Sequence, residues 1–182
     1  RSKWFAGIED YIPKSQYNCE KHHKAVVTDI IANWSVLSRF GKFHAILATS
    51  SIPEAIDYYD LFRELAPTLK VAALFDQNID NDDGAIVKED AIKKMLKDYN
   101  GLYGQDYTIP TYHLYKKDVS YRLAHKKPYE GIENDPEKQL NLLIVVDQML
   151  TGFDSKWVNT LYLDKVLVNE RLIQAFSRTN RS

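Results

Sequence analysis

Three polar side chains near the end of the sequence have the types and spacing needed to hold a polyphosphate: Gln174, Arg178 and Arg181, in the segment QAFSRTNR. Residues four and seven positions apart lie on the same face of a helix, so we expect these side chains to point together. Arginine is planar, permanently charged and able to hold a phosphate through two hydrogen bonds. The spacing therefore indicates a phosphate-binding face. The alternative is a basic helix end whose arginines complement the helix dipole.

A second candidate site follows the most apolar segment of the chain, Leu142–Val146. The turn LTGFD places Thr151, Gly152 and Asp154 shortly after that segment. In open α/β sheets, ligands bind beyond the carboxyl ends of the strands. A glycine there lets the backbone approach a phosphate or a ribose, and a carboxylate can accept a hydrogen bond from a sugar hydroxyl. These residues predict a nucleotide contact, and they also suit an ordinary turn.

A third group of small polar residues follows the short apolar segment HAILA: Thr49, Ser50 and Ser51. The free N–H groups of a helix start, together with small hydroxyls, form a ready phosphate site. Ser51 and its neighbours are equally good helix caps. Both interpretations stay open from the sequence.

Basic residues are concentrated in one short segment, although the net charge of the chain is −1. Asp118 is the one acidic residue among five basic ones: Lys116, Lys117, Arg122, Lys126 and Lys127. Such a cluster can hold the phosphates of nucleic acid. It can equally be a solvated face.

The elements that must position these residues alternate between strands and helices. We expect strands at residues 44–48, 70–75, 142–146 and 160–163, and helices at residues 20–39, 53–66, 88–99, 118–125 and 170–178. Residues 76–84, 100–110 and 127–137 should be irregular. Because Leu142–Val146 is apolar on both faces, it is typical of a central parallel strand. The pattern predicts an α/β fold with a mostly parallel sheet and helices on both faces.

The composition excludes several other classes of protein. The 182 residues are 45% hydrophobic and 27% charged, as in one soluble domain. The longest apolar run is too short to cross a bilayer, so we expect no membrane association. The single cysteine, Cys19, suits a reducing cytoplasm.

We also expect no metal site. Four residues have the spacing of a calcium-binding loop: Asn78, Asp80, Asp82 and Glu89. However, Asp83 stands where that loop requires glycine. Cys19, His22 and His23 could supply a pair of zinc ligands, but the sequence has no second pair.

Taken together, the three polar groups resemble motifs IV, V and VI of superfamily 2 helicases. The continuous stretch LLIVVDQMLTGFDSKWVNTLYLDK, followed by LIQAFSRTNR, resembles more closely the motor (R) subunit of type I restriction enzymes. Ser177 stands where many helicases have glycine, which favours this family. The resemblance implies a second RecA-like domain of the P-loop NTPase type at residues 42–182. Residues 1–41 would be a helical lead-in to the same domain of a larger protein.

The resemblance also implies roles for individual residues. Arg178 and Arg181 would face ATP, with its Mg²⁺, bound mainly on a partner motor domain, and Gln174 would orient that face. Gly152 and Asp154 would lie near the nucleotide. Thr49, Ser50, Ser51 and Thr151 would contact the phosphates of double-stranded DNA. Independently of the resemblance, the basic cluster predicts that Lys116, Lys117 and Arg122 help to hold the duplex.

The implied partners are the first RecA-like domain and the nuclease domain of the same polypeptide, and the modification and specificity subunits of the complex. The sequence contains no G-x-x-x-x-G-K-[ST] phosphate loop. We therefore expect the chain alone not to hydrolyse ATP. The nuclease of the resembled family uses Asp and Glu-x-Lys carboxylates on a separate domain, and no segment here fits that pattern, so we expect the chain alone not to cut DNA either. Two alternatives remain: the domain of another superfamily 2 DNA or RNA helicase, and a non-catalytic Rossmann-like binding module.

Overall fold

The computed structural model describes residues 19–75, 85–146 and 155–164. The helices are α1 (Glu20–Leu37), α2 (Ile52–Leu65), α3 (Ala85–Tyr103) and α4 (Tyr112–Ala124), and the strands are β1 (His44–Thr49), β2 (Val71–Leu74), β3 (Leu142–Val146) and β4 (Val158–Asp164). Short 3-10 turns occur at Ile109–Thr111 and Ile132–Asn134. None of the described helices is long and apolar enough to cross a membrane.

The four strands form one parallel sheet in the order β2-β3-β1-β4. Thr49, the last residue of β1, is level with Val146 at the end of β3 and with Asp164 at the end of β4. Every residue of β1, β2 and β3 is buried. Such burial on both faces requires helices on both sides of the sheet. The predicted α/β fold with a parallel sheet is confirmed.

The two faces of the sheet are covered by different helices. Asp164 points towards α1 and α2, because its carboxylate contacts His22 of α1 and Tyr58 of α2. Thr49 is paired with Asp164 on the neighbouring strand, so the two side chains share one face of the sheet. His44 and Thr49 are an odd number of residues apart, so the His44 side chain points to the opposite face. The ring of His44 contacts His125, the residue that follows α4. The sheet therefore separates α1 and α2 from the end of α4.

Helix α4 runs antiparallel to the strands. Near its start, the Tyr112 hydroxyl bonds to the backbone of Phe75, just beyond the carboxyl end of β2. After its end, His125 contacts His44 at the amino end of β1. The first turns of α4 thus lie towards the carboxyl ends of the strands, and the residues that follow α4 lie towards the amino ends.

The main difference from the predicted elements lies between α3 and α4. Helix α3 continues to Tyr103, and α4 starts at Tyr112 rather than near residue 118. The cause is tertiary packing: the rings of Tyr99 and Tyr115 meet edge to face at 4.9 Å, and Tyr99 also packs on Tyr103. Of the two tyrosines in the segment predicted to be irregular, Tyr103 ends α3 and Tyr107 lies in the connection that follows. The predicted helix at residues 170–178 and the loop at residues 76–84 lie outside the described residues.

Candidate functional site

The carboxyl ends of the strands gather the first candidate residues, Thr49, Ser50 and Ser51. Thr49 is completely buried, and its hydroxyl donates to the Val145 carbonyl oxygen at 3.2 Å. Its side chain is therefore held inside the sheet, which does not support the phosphate contact expected of it. Ser50 is exposed. Of these three residues, Ser50 is the one whose side chain is most open to a phosphate.

Ser51 is the N-cap of α2. Its hydroxyl oxygen accepts a hydrogen bond from the backbone N–H of Glu54 at 3.4 Å. In return, the Glu54 carboxylate reaches back and accepts from the backbone N–H of Ser50 at 2.6 Å. These reciprocal bonds satisfy N–H groups that a phosphate would otherwise use. The capping interpretation therefore describes Ser51 in this structure.

The remaining candidates for nucleotide and DNA contacts lie outside the described residues: Thr151, Gly152, Asp154, Gln174, Arg178 and Arg181. The chain nevertheless leaves β3 at Val146 and leaves β4 at Asp164, on either side of Thr49. The segments that carry the six residues thus depart from the edge of the sheet where Ser50 lies.

The basic cluster does not form one surface. Lys116 and Lys117 lie on the second turn of α4, towards the strand carboxyl ends, and Lys117 packs over the Tyr121 ring at 5.4 Å. Lys126 and Lys127 are exposed beyond the other end of that helix. The helix rise of about 1.5 Å per residue puts roughly 12 Å between Lys116 and the last residue of α4. The two pairs of lysines therefore lie at opposite ends of α4.

Arg122 corrects the expectation of a DNA contact. Its residue exposure is 2%, and its guanidinium donates to the Tyr99 hydroxyl at 3.0 Å, the Lys138 carbonyl oxygen at 2.6 Å and the Tyr129 hydroxyl at 2.9 Å. It also pairs with Asp118 at 3.3 Å. A side chain with these partners is not available to DNA, and we assign it a structural role. It joins α3 and α4 to the connection that precedes β3.

Aromatic rings complete the surroundings of Arg122. The guanidinium carbon lies 3.7 Å from the centre of the Tyr103 ring and 4.2 Å from that of Tyr129, distances typical of cation–π contacts. Burial raises the pKa of Tyr99, and the neighbouring Arg122 opposes that shift. The phenols stay neutral and can donate hydrogen bonds. The Asp118 carboxylate accepts one from the Tyr99 hydroxyl at 2.6 Å and another from the Tyr129 hydroxyl. The sequence signal for this cluster was the spacing of Tyr99 and Tyr103, which are four residues apart and therefore share one face of a helix.

A second polar cluster at the carboxyl edge was not predicted. His23 of α1, Glu54 of α2 and Asp164 of β4 each place one nitrogen or oxygen within 4.8 Å of the others. Burial raises the pKa of Glu54, and burial together with Asp164 raises that of Tyr58. The sequence signal for this cluster was the position of Asp164, directly after the strand segment LYL. The partners His23 and Glu54 come from distant segments, which no local pattern connects.

A pair of histidines lies at the opposite edge of the sheet. The Nε2 atoms of His44 and His125 are 2.7 Å apart, and His125 Nδ1 lies 2.9 Å from a Glu133 carboxylate oxygen. The His125 ring stacks on Trp157 at 4.1 Å. Burial lowers the pKa of His44 to about 4. Neutral and enclosed, His44 has the structural role that its position at the start of a strand predicts.

A cleft of about 570 Å³ lies at this same amino-terminal edge. Its walls come from the segments that precede the four strands, with Lys42, Lys70, Asn141 and Trp157 among the lining residues. Ligands of parallel α/β sheets bind at the carboxyl ends instead. The cleft is therefore remote from the predicted sites, and we assign it no function.

Comparison with known proteins identifies the family. Residues 41–182 match the family model described as type I restriction enzyme subunit R domain 3. A type I restriction enzyme endonuclease subunit of Staphylococcus aureus is 34% identical over 170 residues, which cover 89% of this chain and 17% of that protein. A corresponding subunit of Staphylococcus saprophyticus is 33% identical over 165 residues, or 86% of the chain and 17% of the relative.

A shorter match covers the HindI endonuclease subunit of Haemophilus influenzae, which is 41% identical over 69 residues, 38% of this chain and 6% of that protein. The chain spans about 17% of the length of the staphylococcal relatives. The family suggested by LTGFD and QAFSRTNR is thus confirmed by matches that extend over most of the chain. The chain belongs to the family of type I restriction enzyme subunit R domain 3.

Proposed function

We propose that this chain is the second RecA-like half of an ATP-driven DNA translocase within an R subunit. Membership of the R subunit family and the parallel α/β sheet support the proposal. Residues 42–182 would form the motor half, and residues 1–41 its helical lead-in. The pairing of His22 with Asp164 at 2.8 Å supports assigning the lead-in to the same domain.

One observation carries the proposal: three strands end side by side. Thr49, Val146 and Asp164 occupy the same level of adjacent parallel strands. The residues that follow each of them contain one of the three polar groups predicted to bind phosphate. Strand carboxyl ends are where open α/β sheets bind ligands. The same edge of the sheet would then bind both the nucleotide and the DNA.

The proposed chemistry is charge stabilisation across a cleft between two motor domains. ATP and Mg²⁺ would be held mainly by the partner domain, since the sequence here contains no phosphate loop. Arg178 and Arg181 would neutralise charge on the transferring phosphoryl group, and Gln174 would orient them. Such arginines typically contribute about 10³ to 10⁵ in rate. Gly152 and Asp154 would contact the nucleotide, and the chain alone would be inactive.

DNA contacts would come from the same edge. Ser50 is exposed there, and Thr151 belongs to the segment that follows β3. Lys116 and Lys117 point from the half of α4 nearest to this edge. Hydroxyls and lysines that contact phosphates bind without regard to sequence, as a translocating motor requires. Sequence recognition would belong to the specificity subunit of the complex, alongside the modification subunit.

The test uses the parent R subunit assembled with its modification and specificity subunits on DNA. We expect Arg178→Ala and Arg181→Ala each to reduce DNA-stimulated ATP hydrolysis by about 10² or more, with the fold intact by circular dichroism. Arg39→Ala is the matched control, because Arg39 is exposed in the turn before β1, at the opposite edge of the sheet. Turnover and translocation at the level of this control in both mutants would exclude the proposed role.

A further inference from the structure

Three side chains that share no sequence motif meet at the carboxyl edge of the sheet. They are His23 in the first turns of α1, Glu54 in the first turn of α2 and Asp164 at the end of β4. Each offers one nitrogen or oxygen atom, and these atoms all lie within 4.8 Å of one another. His23 is 1% exposed and Glu54 is 6% exposed, so the cluster is enclosed by protein.

His23 is the unusual member of this cluster. Among the described residues, neither of its ring nitrogens has a hydrogen-bond partner. The nearest carboxylate oxygens lie too far for a hydrogen bond, at 3.8 Å from Nε2 for Glu54 and 3.6 Å from Nδ1 for Asp57. An imidazole buried without partners is costly, by the full desolvation of its polar atoms. A ligand bound between the His23 ring and the carboxylates would offset this cost.

The two carboxylates are already oriented by other groups. The Oε2 atom of Glu54 accepts a hydrogen bond from the Ser50 N–H, and the Oε1 atom faces His23. Asp164 accepts from the Tyr58 hydroxyl and contacts His22 Nε2 at 2.8 Å. Each carboxylate oxygen has a second lone pair for a further partner. Hydrogen bonds of this kind fix metal ligands in place and are a regular feature of metal sites.

We propose that His23, Glu54 and Asp164 bind a divalent transition-metal ion, of which Zn²⁺ is the best fit. One imidazole nitrogen and two carboxylate oxygens are a ligand set that zinc accepts. Two tetrahedral ligands at about 2.05 Å from an ion lie roughly 3.4 Å apart. The 3.8 Å between His23 and Glu54 needs only a small contraction to reach that distance. Two carboxylates also balance the charge of the ion.

The site is structural in character. Its ligands come from a helix of the lead-in, a second helix and a strand, so an ion would fasten α1 and α2 to the carboxyl edge of the sheet. This differs from the expectation of no zinc site, which rested on the lack of a second ligand pair to join Cys19, His22 and His23. The fold supplies the missing ligands from distant segments.

The experiment titrates the chelator-stripped 182-residue chain with ZnCl₂ by calorimetry and counts bound ions by native mass spectrometry. We expect one Zn²⁺ per chain and a rise in Tm of about 5 °C or more in excess zinc. Glu54→Gln keeps an acceptor for the Ser50 N–H and should bind zinc at least ~10-fold more weakly, as should His23→Gln. His113→Gln, which changes an exposed histidine of α4, should bind like the unmodified chain.

Three further measurements distinguish other sources of metal binding. Cys19→Ser should retain the ion, and the Co²⁺-loaded chain should lack a thiolate charge-transfer band. Mg²⁺ should not raise the Tm, because it prefers an octahedral shell of oxygens. Absence of stoichiometric zinc, equal affinity in His23→Gln and His113→Gln, loss of the ion in Cys19→Ser, or an equal response to Mg²⁺ would each overturn the proposal.

Discussion

The ring nitrogens Nε2 of His44 and His125 lie 2.7 Å apart inside the protein, so one ring donates a hydrogen bond to the other. His44 Nδ1 faces the Leu140 carbonyl oxygen and must carry a hydrogen. A neutral His44 accepts at Nε2 from His125, whose Nδ1 then needs a second hydrogen to donate to the Glu133 carboxylate at 2.9 Å. Protonation of His44 would place hydrogens on both facing nitrogens. This geometry agrees with the pKa of about 4 that burial gives His44.

We expect the stability of the domain to fall as the pH is lowered from about 6.5 towards 4. The unfolded His44 takes up a proton near its ordinary pKa of 6.5, whereas the folded ring resists it until about 4. The folded state then loses stability on the order of 3 kcal/mol across that window, with no contribution from this group above it. Urea unfolding at pH 7.5, 6 and 5 measures the slope.

His44→Gln should flatten this pH dependence, and His113→Gln should leave it unchanged because His113 is exposed. A slope that is the same in His44→Gln as in the unmodified protein would assign the acid sensitivity to other groups.

Arg122→Ala should destabilise the domain by about 3 kcal/mol or more, because it leaves the partly buried Asp118 carboxylate without its cation. Lys117→Ala on the same helix should change the unfolding free energy by less than about 0.5 kcal/mol. Denaturant unfolding compares the two. A stable Arg122→Ala variant with weakened DNA binding would restore the DNA contact that the sequence suggested.

Replacing Lys116 and Lys117 with alanine in the parent R subunit should weaken DNA binding. The slope of log K against log salt should fall by about one unit for each phosphate that the variant no longer neutralises. The Lys126→Ala, Lys127→Ala double variant removes the same charge at the other end of α4 and should keep the slope. Equal slopes for both double variants and the unmodified protein would make the lysines part of a solvated surface.

Ser50 and Ser51 are neighbours with different predicted functions. Ser51→Ala removes the cap of α2 and should lower the unfolding free energy by about 1 kcal/mol. Ser50→Ala should leave stability within about 0.5 kcal/mol of the original and weaken DNA binding in the parent subunit. Normal DNA binding by Ser50→Ala would contradict a DNA contact by Ser50 and leave helix capping by Ser51 as the role of this segment.

The sequence predicts well those features that depend on neighbouring residues. The apolar run Leu142–Val146 and the cap at Ser51 are local, and the structure confirms both. The DNA contact predicted for Arg122 was wrong because its partners come from separate parts of the chain. Tyr99 belongs to α3, and Tyr129 and the Lys138 carbonyl belong to the connection between α4 and β3. A charged side chain in a basic segment looks exposed until those partners are known. The roles of Arg178 and Arg181 stay predictions.

The parallel order β2-β3-β1-β4 has a mechanical consequence for a domain proposed to pull on DNA. β1 is bonded along its length to a strand on each side. A force applied at Ser50 along the strand axis shears both ladders at once, so their evenly spaced hydrogen bonds share the load. A pull in the same direction on β4, which lies at the edge of the described part of the sheet, would be resisted by one described ladder. The position of Ser50 directly after β1 attaches it to one of the two interior strands of the described sheet, which carry tension through two ladders.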